Sequence, residues 1–390
     1  MVGEKHYVGM QNERPVGVNS RVLFAQRRLP HYRVPFLEEA RRLLAARGIA
    51  FDFIYGEPTL EEASKNDEGH LVWAKRMAVT RYALGGKLCW QPFSTKGYDL
   101  VIVSQENRLL INHWLCRPWR GFKLAFFSHG ANLSAGNRSS LKEKFRRWTT
   151  QRADWMFAYT VLSAKLMTEV GFDSAHITVM NNSVDTHALR ADLASVADID
   201  RQALRMRYNL VFGKTGLFLG SMYEGKGLDV LLHTARWVHE RDPEFRLLVV
   251  GDGPARQAFQ RDIAQMPWVH WVGAQRGRDK AGYMAVSDFL LIPGVVGLSI
   301  LDGFAANLPL LTCKVLGHGP EIAYLEQGKN GLMSESRPAD YAQMVGDVCA
   351  DPTKLTALKE GARLSGQKYS VEAMAKNFVT GICQSLGLLS

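Results

Sequence analysis

Phe289 to Cys313 reads FLLIPGVVGLSILDGFAANLPLLTC, and the order of its parts decides the fold. FLLI is an apolar run of strand length, and a glycine-bearing loop at Pro293 to Leu298 interrupts it. From Ser299 to Asn307 the apolar residues recur at helical spacing, and PLLTC at 309–313 opens a second strand-like run behind a proline. Strand, helix and strand in this order predict a parallel β-α-β unit, because parallel neighbours need a crossover of about a dozen residues or more.

Working outward, the same grammar repeats. TGLFLGS at 215–221, a helix from Gly227 to Arg241, RLLVVGDG at 246–253, a helix through Gln265 and VHWVGA at 269–274 precede the quoted stretch. The first half offers RVLFAQ at 21–26, a helical pattern from Pro35 to Arg47, FDFIY at 51–55, YDLVIVS at 98–104, KLAFFSH at 123–129, WMFAYTVLS at 155–163 and HITVMNNS at 176–183. The chain therefore reads as α/β, with two doubly wound, Rossmann-like domains facing across a cleft. Their expected limits are 1–185 and 186–370, with 371–390 a C-terminal helix packing back on the first domain. Asp185 to Leu210 carries mixed charge and no strand-like run, which suits an interdomain connection.

Composition narrows the class. The chain has 390 residues, 46% hydrophobic and 22% charged. No stretch reaches the roughly 18 uninterrupted apolar residues of a membrane span. The N-terminus, MVGEKHYVGMQNERPVGVNSRVLFAQ, shows no apolar h-region, so a cytoplasmic site is expected. Five dispersed cysteines without a C-x-x-C suit neither a zinc site nor a disulfide framework and are expected to be reduced and buried. Net charge is +10, all of it in the first half, where 27 lysines and arginines stand against 17 acids in residues 1–190; the remainder has 21 against 21. Such a surface attracts polyanions or anionic membrane, and no nucleic-acid-binding motif accompanies it.

Open parallel sheets bind ligands at the carboxyl ends of their strands. There the second half places Ser221-Met222-Tyr223-Glu224-Gly225-Lys226-Gly227, in which Lys226 offers a point charge beside glycines that let a phosphate approach the backbone. The spacing is not that of a P-loop. Gly251-Asp252-Gly253-Pro254 is a tight turn. Gly297, Leu298 and Ser299 deliver backbone amides at a helix start, and Asp302, about one turn on, suits accepting hydrogen bonds from hydroxyls such as a ribose diol. No D-x-D stands at a strand end; Asp198-Ile199-Asp200 lies in the connecting segment.

Taken together, these strand ends resemble glycosyltransferase family 4, retaining nucleotide-sugar-dependent transferases of the GT-B fold. The resemblance rests on Gly220 to Gly227, Gly251-Asp252-Gly253-Pro254, Val272-Gly273, Ser287-Asp288, Gly297 to Asp302 and Gly328-Lys329-Asn330-Gly331, in the family's order. In the first half it rests on Ser128-His129-Gly130, the basic helix running into Ala153-Asp154, and Asn182-Ser183-Val184-Asp185.

The resemblance implies that the second domain grips a nucleotide-diphosphate sugar and the first admits a glycan or lipid-linked saccharide acceptor, as in assembly of bacterial surface polysaccharides. Lys226 stands where the family has a diphosphate-binding lysine, while Ser221 takes the place of the arginine that usually stands five positions before it. Asp302 matches the second acid of the family's Glu-x7-Glu pair as a shorter carboxylate, and no acid stands at the first. His129 stands where the family often has a histidine at the donor sugar. Neither metal nor other cofactor is implied. Arg28 and Arg33, in the loop after the first strand, are acceptor-side candidates for an anionic or lipid-phosphate group. Residues 139–155, SSLKEKFRRWTTQRADW, form a basic amphipathic helix with a tryptophan, which suits either peripheral docking at the inner face of the membrane or packing on the core. A catalytically inactive nucleotide-sugar-binding subunit and a nucleotide-sugar epimerase would share the donor grip.

Overall fold

The computed structural model describes residues 19–63, 67–130 and 141–389. The N-terminal stretch 1–18 and Ser139 and Ser140 of the basic segment, read above from sequence, lie outside the described residues.

Two parallel sheets organise the chain. The first contains β1 (Ser20–Gln26), β2 (Ile49–Tyr55) and β3 (Lys75–Arg76), set apart by a small antiparallel hairpin of β4 (Arg81–Ala83) and β5 (Leu88–Trp90), and then β6 (Leu100–Ser104), β7 (Lys123–Ser128), β8 (Trp155–Ala158) and β9 (Ile177–Val179). Its order is β3-β2-β1-β6-β7-β8-β9. The second contains β10 (Thr215–Leu219), β11 (Arg246–Val250), β12 (Val269–Gly273), β13 (Phe289–Ile292), β14 (Leu310–Cys313) and β15 (Gly331–Ser334), ordered β12-β11-β10-β13-β14-β15. Strands such as Leu100 to Val103 and Phe289 to Ile292 are buried throughout, because helices cover both faces of each sheet. In both sheets the strand order reverses direction between two neighbours, β1 and β6 in one, β10 and β13 in the other; a crevice opens at such a point.

The segment Asp185 to Leu210, read above as an interdomain connection without a strand, is helical. It forms two helices, Thr186–Ser195 and Asp198–Tyr208. Leu189 and Val196 are buried in one core of the second domain, with Leu193 and Leu204 packed against it. Asp185 caps the first of these helices by accepting from the Ala188 amide.

The chain ends by crossing back. The helix Val371–Leu386 puts Phe378 within 5.2 Å of the Phe36 ring and 4.8 Å of the Phe157 ring, inside the first domain's core. Burying one such side chain stabilises the docked helix by about 2 kcal/mol. Asn182 and Ser183 fasten the crossing: Asn182 donates to Glu321 Oε1 at 2.8 Å, and Ser183 Oγ donates to the Tyr369 carbonyl at 2.7 Å.

Candidate active site

A cleft of about 890 Å³ lies between the sheets, lined from the first domain by Gln105 to Arg108, Ser128, His129 and Arg146 and from the second by Tyr223, Lys226, Val295 to Gly297 and Gly317 to Pro320. Almost all of these residues follow a strand directly, after β6, β7, β10, β13 and β14.

On the second domain the loops after β10 and β13 are bound to each other. The Val295 amide donates to the Gly225 carbonyl at 2.8 Å. A Cβ on Gly294 would lie 2.3 Å from the Lys226 carbonyl carbon, so glycine is required for this approach. The junction positions Lys226, which is only 7% exposed and donates from Nζ to the Val295 carbonyl at 2.6 Å. Burial pulls its ammonium below the ordinary lysine value. No carboxylate forms an ion pair with it among the described residues. Beside it, the amides of Gly297 and Leu298 donate to no group among the described residues, while the Val296 amide is spent on His318 Nδ1 at 3.1 Å. His318 Nε2 lies 3.0 Å from the Cys313 carbonyl, an acceptor, so these two backbone partners require the Nε2–H tautomer. Burial, with the Lys226 charge assisting against the Cys313 hydrogen bond, holds this imidazole below its usual value.

Across the cleft, His129 follows β7. Ser128 Oγ donates to Gln105 Oε1 at 2.6 Å and accepts from the Gly130 amide at 3.0 Å. Gln105 Nε2 in turn donates to the hydroxyls of Thr149 and Thr150 at 3.0 and 2.8 Å. This network locks the turn that carries His129. The imidazole presents open surface to the cleft yet sits deep between the domains, its ring centroid 3.9 Å from that of Tyr159. Burial first, then the charges of Arg33 and Arg146, push it down to about 4, so it is neutral at physiological pH.

The structure thus brings His129, Lys226 and Gly297 into one cleft. Ser221 is exposed beyond its lining. Leu298 packs against the second domain's core, and the helix Ser299–Ala305 turns away behind it. On that helix Asp302 Oδ1 accepts from Lys280 Nζ at 3.3 Å; burial raises the carboxyl and Lys280 opposes the rise. Arg28 and Arg33 line a separate pocket of about 200 Å³ that shares Glu106 with the cleft. There Arg28 is held by Asp67 at 2.7 Å, and Arg33 is 3% exposed.

Sequence reading missed Gln105 to Arg108 and His318. The first group could have been found, since it follows YDLVIVS at a strand end. Also missed was the tip of the β4–β5 hairpin, whose Gly85 to Lys87 reach the cleft and whose Gly85-Gly86 pair was a turn signal in the sequence. In the basic helix Leu141–Thr150, Phe145 stacks on His113 at 4.1 Å and lies 5.5 Å from Trp148, so these two apolar residues face protein.

Residues 213–351 match the model of the family described as glycosyl transferases group 1. D-inositol 3-phosphate glycosyltransferase of Rhodococcus jostii is 27% identical over 287 residues, 67% of this chain and 61% of the relative, so the match spans under two thirds of that relative's length. Alpha-D-kanosaminyltransferase of Streptomyces kanamyceticus is 26% identical over 270 residues, 63% of this chain and 66% of the relative. Among solved structures, a glycosyltransferase from Rickettsia africae superposes with a TM-score of 0.68 at 17% identity, covering 94% of this chain and 99% of that one. Anabaena HepE in complex with UDP-glucose gives 0.64 at 17% identity, covering 95% and 100%. Residues 213–351 are similar to the glycosyl transferases group 1 family, and the two domains together share the GT-B fold of these solved structures.

Proposed function

We propose that the protein is a glycosyltransferase that moves a sugar, with retention of anomeric configuration, from a nucleoside-diphosphate sugar to a glycan or lipid-linked saccharide acceptor. The observation that carries this reading is Lys226, a buried ammonium without a carboxylate partner among the described residues, set at the cleft beside Gly297, whose amide, like that of the adjoining Leu298, donates to no group among those residues. A cation buried without a counter-charge is costly unless a ligand supplies one. Negative charge grows on the leaving diphosphate as the glycosidic bond breaks. Lys226 exchanges the Val295 carbonyl for that phosphate, and the two amides add donors already in place. His129, neutral and opposite, presents a hydrogen-bonding group to the sugar without repelling the developing positive charge at the anomeric carbon. The leaving phosphate itself takes the acceptor's proton, and this scheme calls on no metal or other cofactor.

The acceptor side is assigned to the first domain, and the setting to surface-polysaccharide assembly at the inner face of the membrane. Trp119, 87% exposed, and Trp114, with the Arg117 guanidinium 3.5 Å from its ring centroid, support a peripheral docking surface there. Among the described residues no helix is long and apolar enough to cross a membrane.

Incubation with a panel of nucleotide sugars, with and without saccharide acceptors, tests the reading. Release of nucleoside diphosphate with an α-linked product from an α-linked donor is expected. Binding of nucleotide sugars without turnover on any acceptor would instead identify an inactive subunit, and interconversion of the donor an epimerase. Co-sedimentation with anionic vesicles at low but not high salt is the result expected of the docking surface.

A further inference from the structure

Three cationic side chains are buried among the described residues: Arg27, Arg33 and Lys226, each at most 7% exposed. Arg27 is answered by Glu62 at 2.5 Å and Glu106 at 3.2 Å. Lys226 faces the donor cleft. Arg33 forms no ion pair among the described residues. Its guanidinium lies over the rings of Tyr32, Phe127 and Tyr159 at 5.3, 5.1 and 5.3 Å, and its hydrogen bond goes to Met374 Sδ at 3.8 Å. Aromatic faces and a thioether are weak partners for a guanidinium that can donate five hydrogen bonds. The neighbouring carboxylates are committed elsewhere. Glu62 and Glu106 serve Arg27, Glu106 also accepts from Arg108 at 2.8 Å, Asp67 serves Arg28 at 2.7 Å, and the buried Glu321, which accepts from Asn182 at 2.8 Å, feels the Arg33 charge without forming an ion pair with it. Arg33 therefore has no carboxylate in ion-pair contact among the described residues.

The side chain is also placed for a ligand. It lines the polar pocket of about 200 Å³ at the carboxyl ends of β1, β6 and β8, with Gln26, Ser104 and Tyr159 and with the Arg27–Glu62–Glu106 ion-pair group, whose charges balance to one net negative before Arg28 and Arg33 are added. Tyr159 joins this pocket to the cleft, touching His129 on one side and the Arg33 guanidinium on the other. Pockets that enclose a whole small molecule begin at about 300 Å³. This one suits a charged substituent whose bearer extends into the larger cleft.

We infer that the pocket is an anion subsite, in which Arg33 is the counter-ion for a phosphate or carboxylate group carried by the acceptor. Bound there, the anion anchors the acceptor in the first domain while its hydroxyl reaches the cleft beside His129. Naming the bearer as the acceptor rests on the transfer reading above; the anion site itself does not.

Inorganic phosphate and glucuronate, titrated separately into the full chain by calorimetry, are the probes. At least one should bind the wild type. That binding should weaken by about 10-fold or more in Arg33→Met, as expected when charge-assisted hydrogen bonds are lost, and persist in Lys226→Ala. The stronger of the two probes distinguishes a phosphate-bearing from a uronate-type acceptor. If Arg33→Met fails to fold, Ser104→Glu replaces it: Ser104 is only part buried, and an acid there answers Arg33 and excludes the probe. No binding of either anion to the wild type, binding indifferent to both first-domain variants, or binding abolished by Lys226→Ala alone would each overturn the subsite. Nucleoside diphosphate release is measured in parallel. Anion binding without release overturns the transfer reading and leaves the subsite standing; release without anion binding does the reverse.

Discussion

In the first domain the carboxyl edge of the sheet is dressed with charged side chains that answer one another, Arg27 with Glu62 and Glu106, Arg28 with Asp67, Arg108 with Glu106. In the second domain the same edge of the same topology is built from backbone. Gly227 and Gly294 let two loops touch, the amides of Gly297 and Leu298 donate to no group among the described residues, and one lysine supplies the charge. The difference teaches that one architecture can fix a site by ion pairs or by chain geometry. The backbone version tolerates almost no added volume, while the side-chain version is vulnerable to loss of charge.

The largest effect that would break this contrast is steric. Gly294→Val should destabilise the protein by about 3 kcal/mol, at the upper end for overpacking, because the new Cβ meets the Lys226 carbonyl carbon at 2.3 Å and the Gly225 oxygen at 2.4 Å. Chemical denaturation measures it, and wild-type stability would mean that the loops part freely. Next is Lys226→Ala, for which turnover should fall roughly 100-fold with the fold retained. Turnover like that of the wild type would remove Lys226 from the site. In the first domain, Arg27→Met should cost about 2 kcal/mol, less than a fully buried pair, because Glu62 and Glu106 stay 16% and 30% open to water and can be rehydrated. A neutral result in denaturation would show that the ion-pair edge is ornamental.

The smallest effect is in pH. The folded His129 imidazole takes up its proton only near pH 4, whereas an unfolded one does so near about 6.5. As pH falls, the unfolded chain gains that proton first, so stability should decline between those values and not above them, and His129→Asn should remove that part of the decline. Glu62 acts lower. Burial opposes its ionisation, but hydrogen bonds from Arg27 and the Thr59 amide, with the charges of Arg27 and Arg28, outweigh it and take the carboxyl down to about 2. Its contribution is complete above about 4.3 and is lost as pH falls towards 2. Melting curves of Glu62→Gln and His129→Asn across acid pH should therefore depart from the wild type in different windows. Coincident departures would mean that the two groups titrate as one network.

How much was legible follows the same division. The runs Phe289 to Ile292 and Leu247 to Val250 announce buried parallel strands because helices on both faces leave no position for a polar residue. Lys226 and Gly297 could be read because local backbone geometry ties them to glycines a few residues away. The two helices of Asp185 to Leu210 were missed because Asp198–Tyr208 has no buried residue and its apolar side chains only flank the core. Asp302 was read for a ribose hydroxyl from its position on the helix, and the sequence held no sign that Lys280, 22 residues earlier, would reach its carboxylate.

By itself the sequence determined the two parallel-sheet domains and the glycine-framed loops at the strand ends of the second, since periodicity and glycine spacing act over one or two elements. Only the tertiary structure decided which charges are spent. Arg27 meets partners 35 and 79 residues away, Asn182 meets Glu321 across 139, and Arg33 forms no ion pair among the described residues. Such pairings depend on how strands order themselves in the sheet, and a change of order would leave every local pattern intact while rearranging every counter-ion.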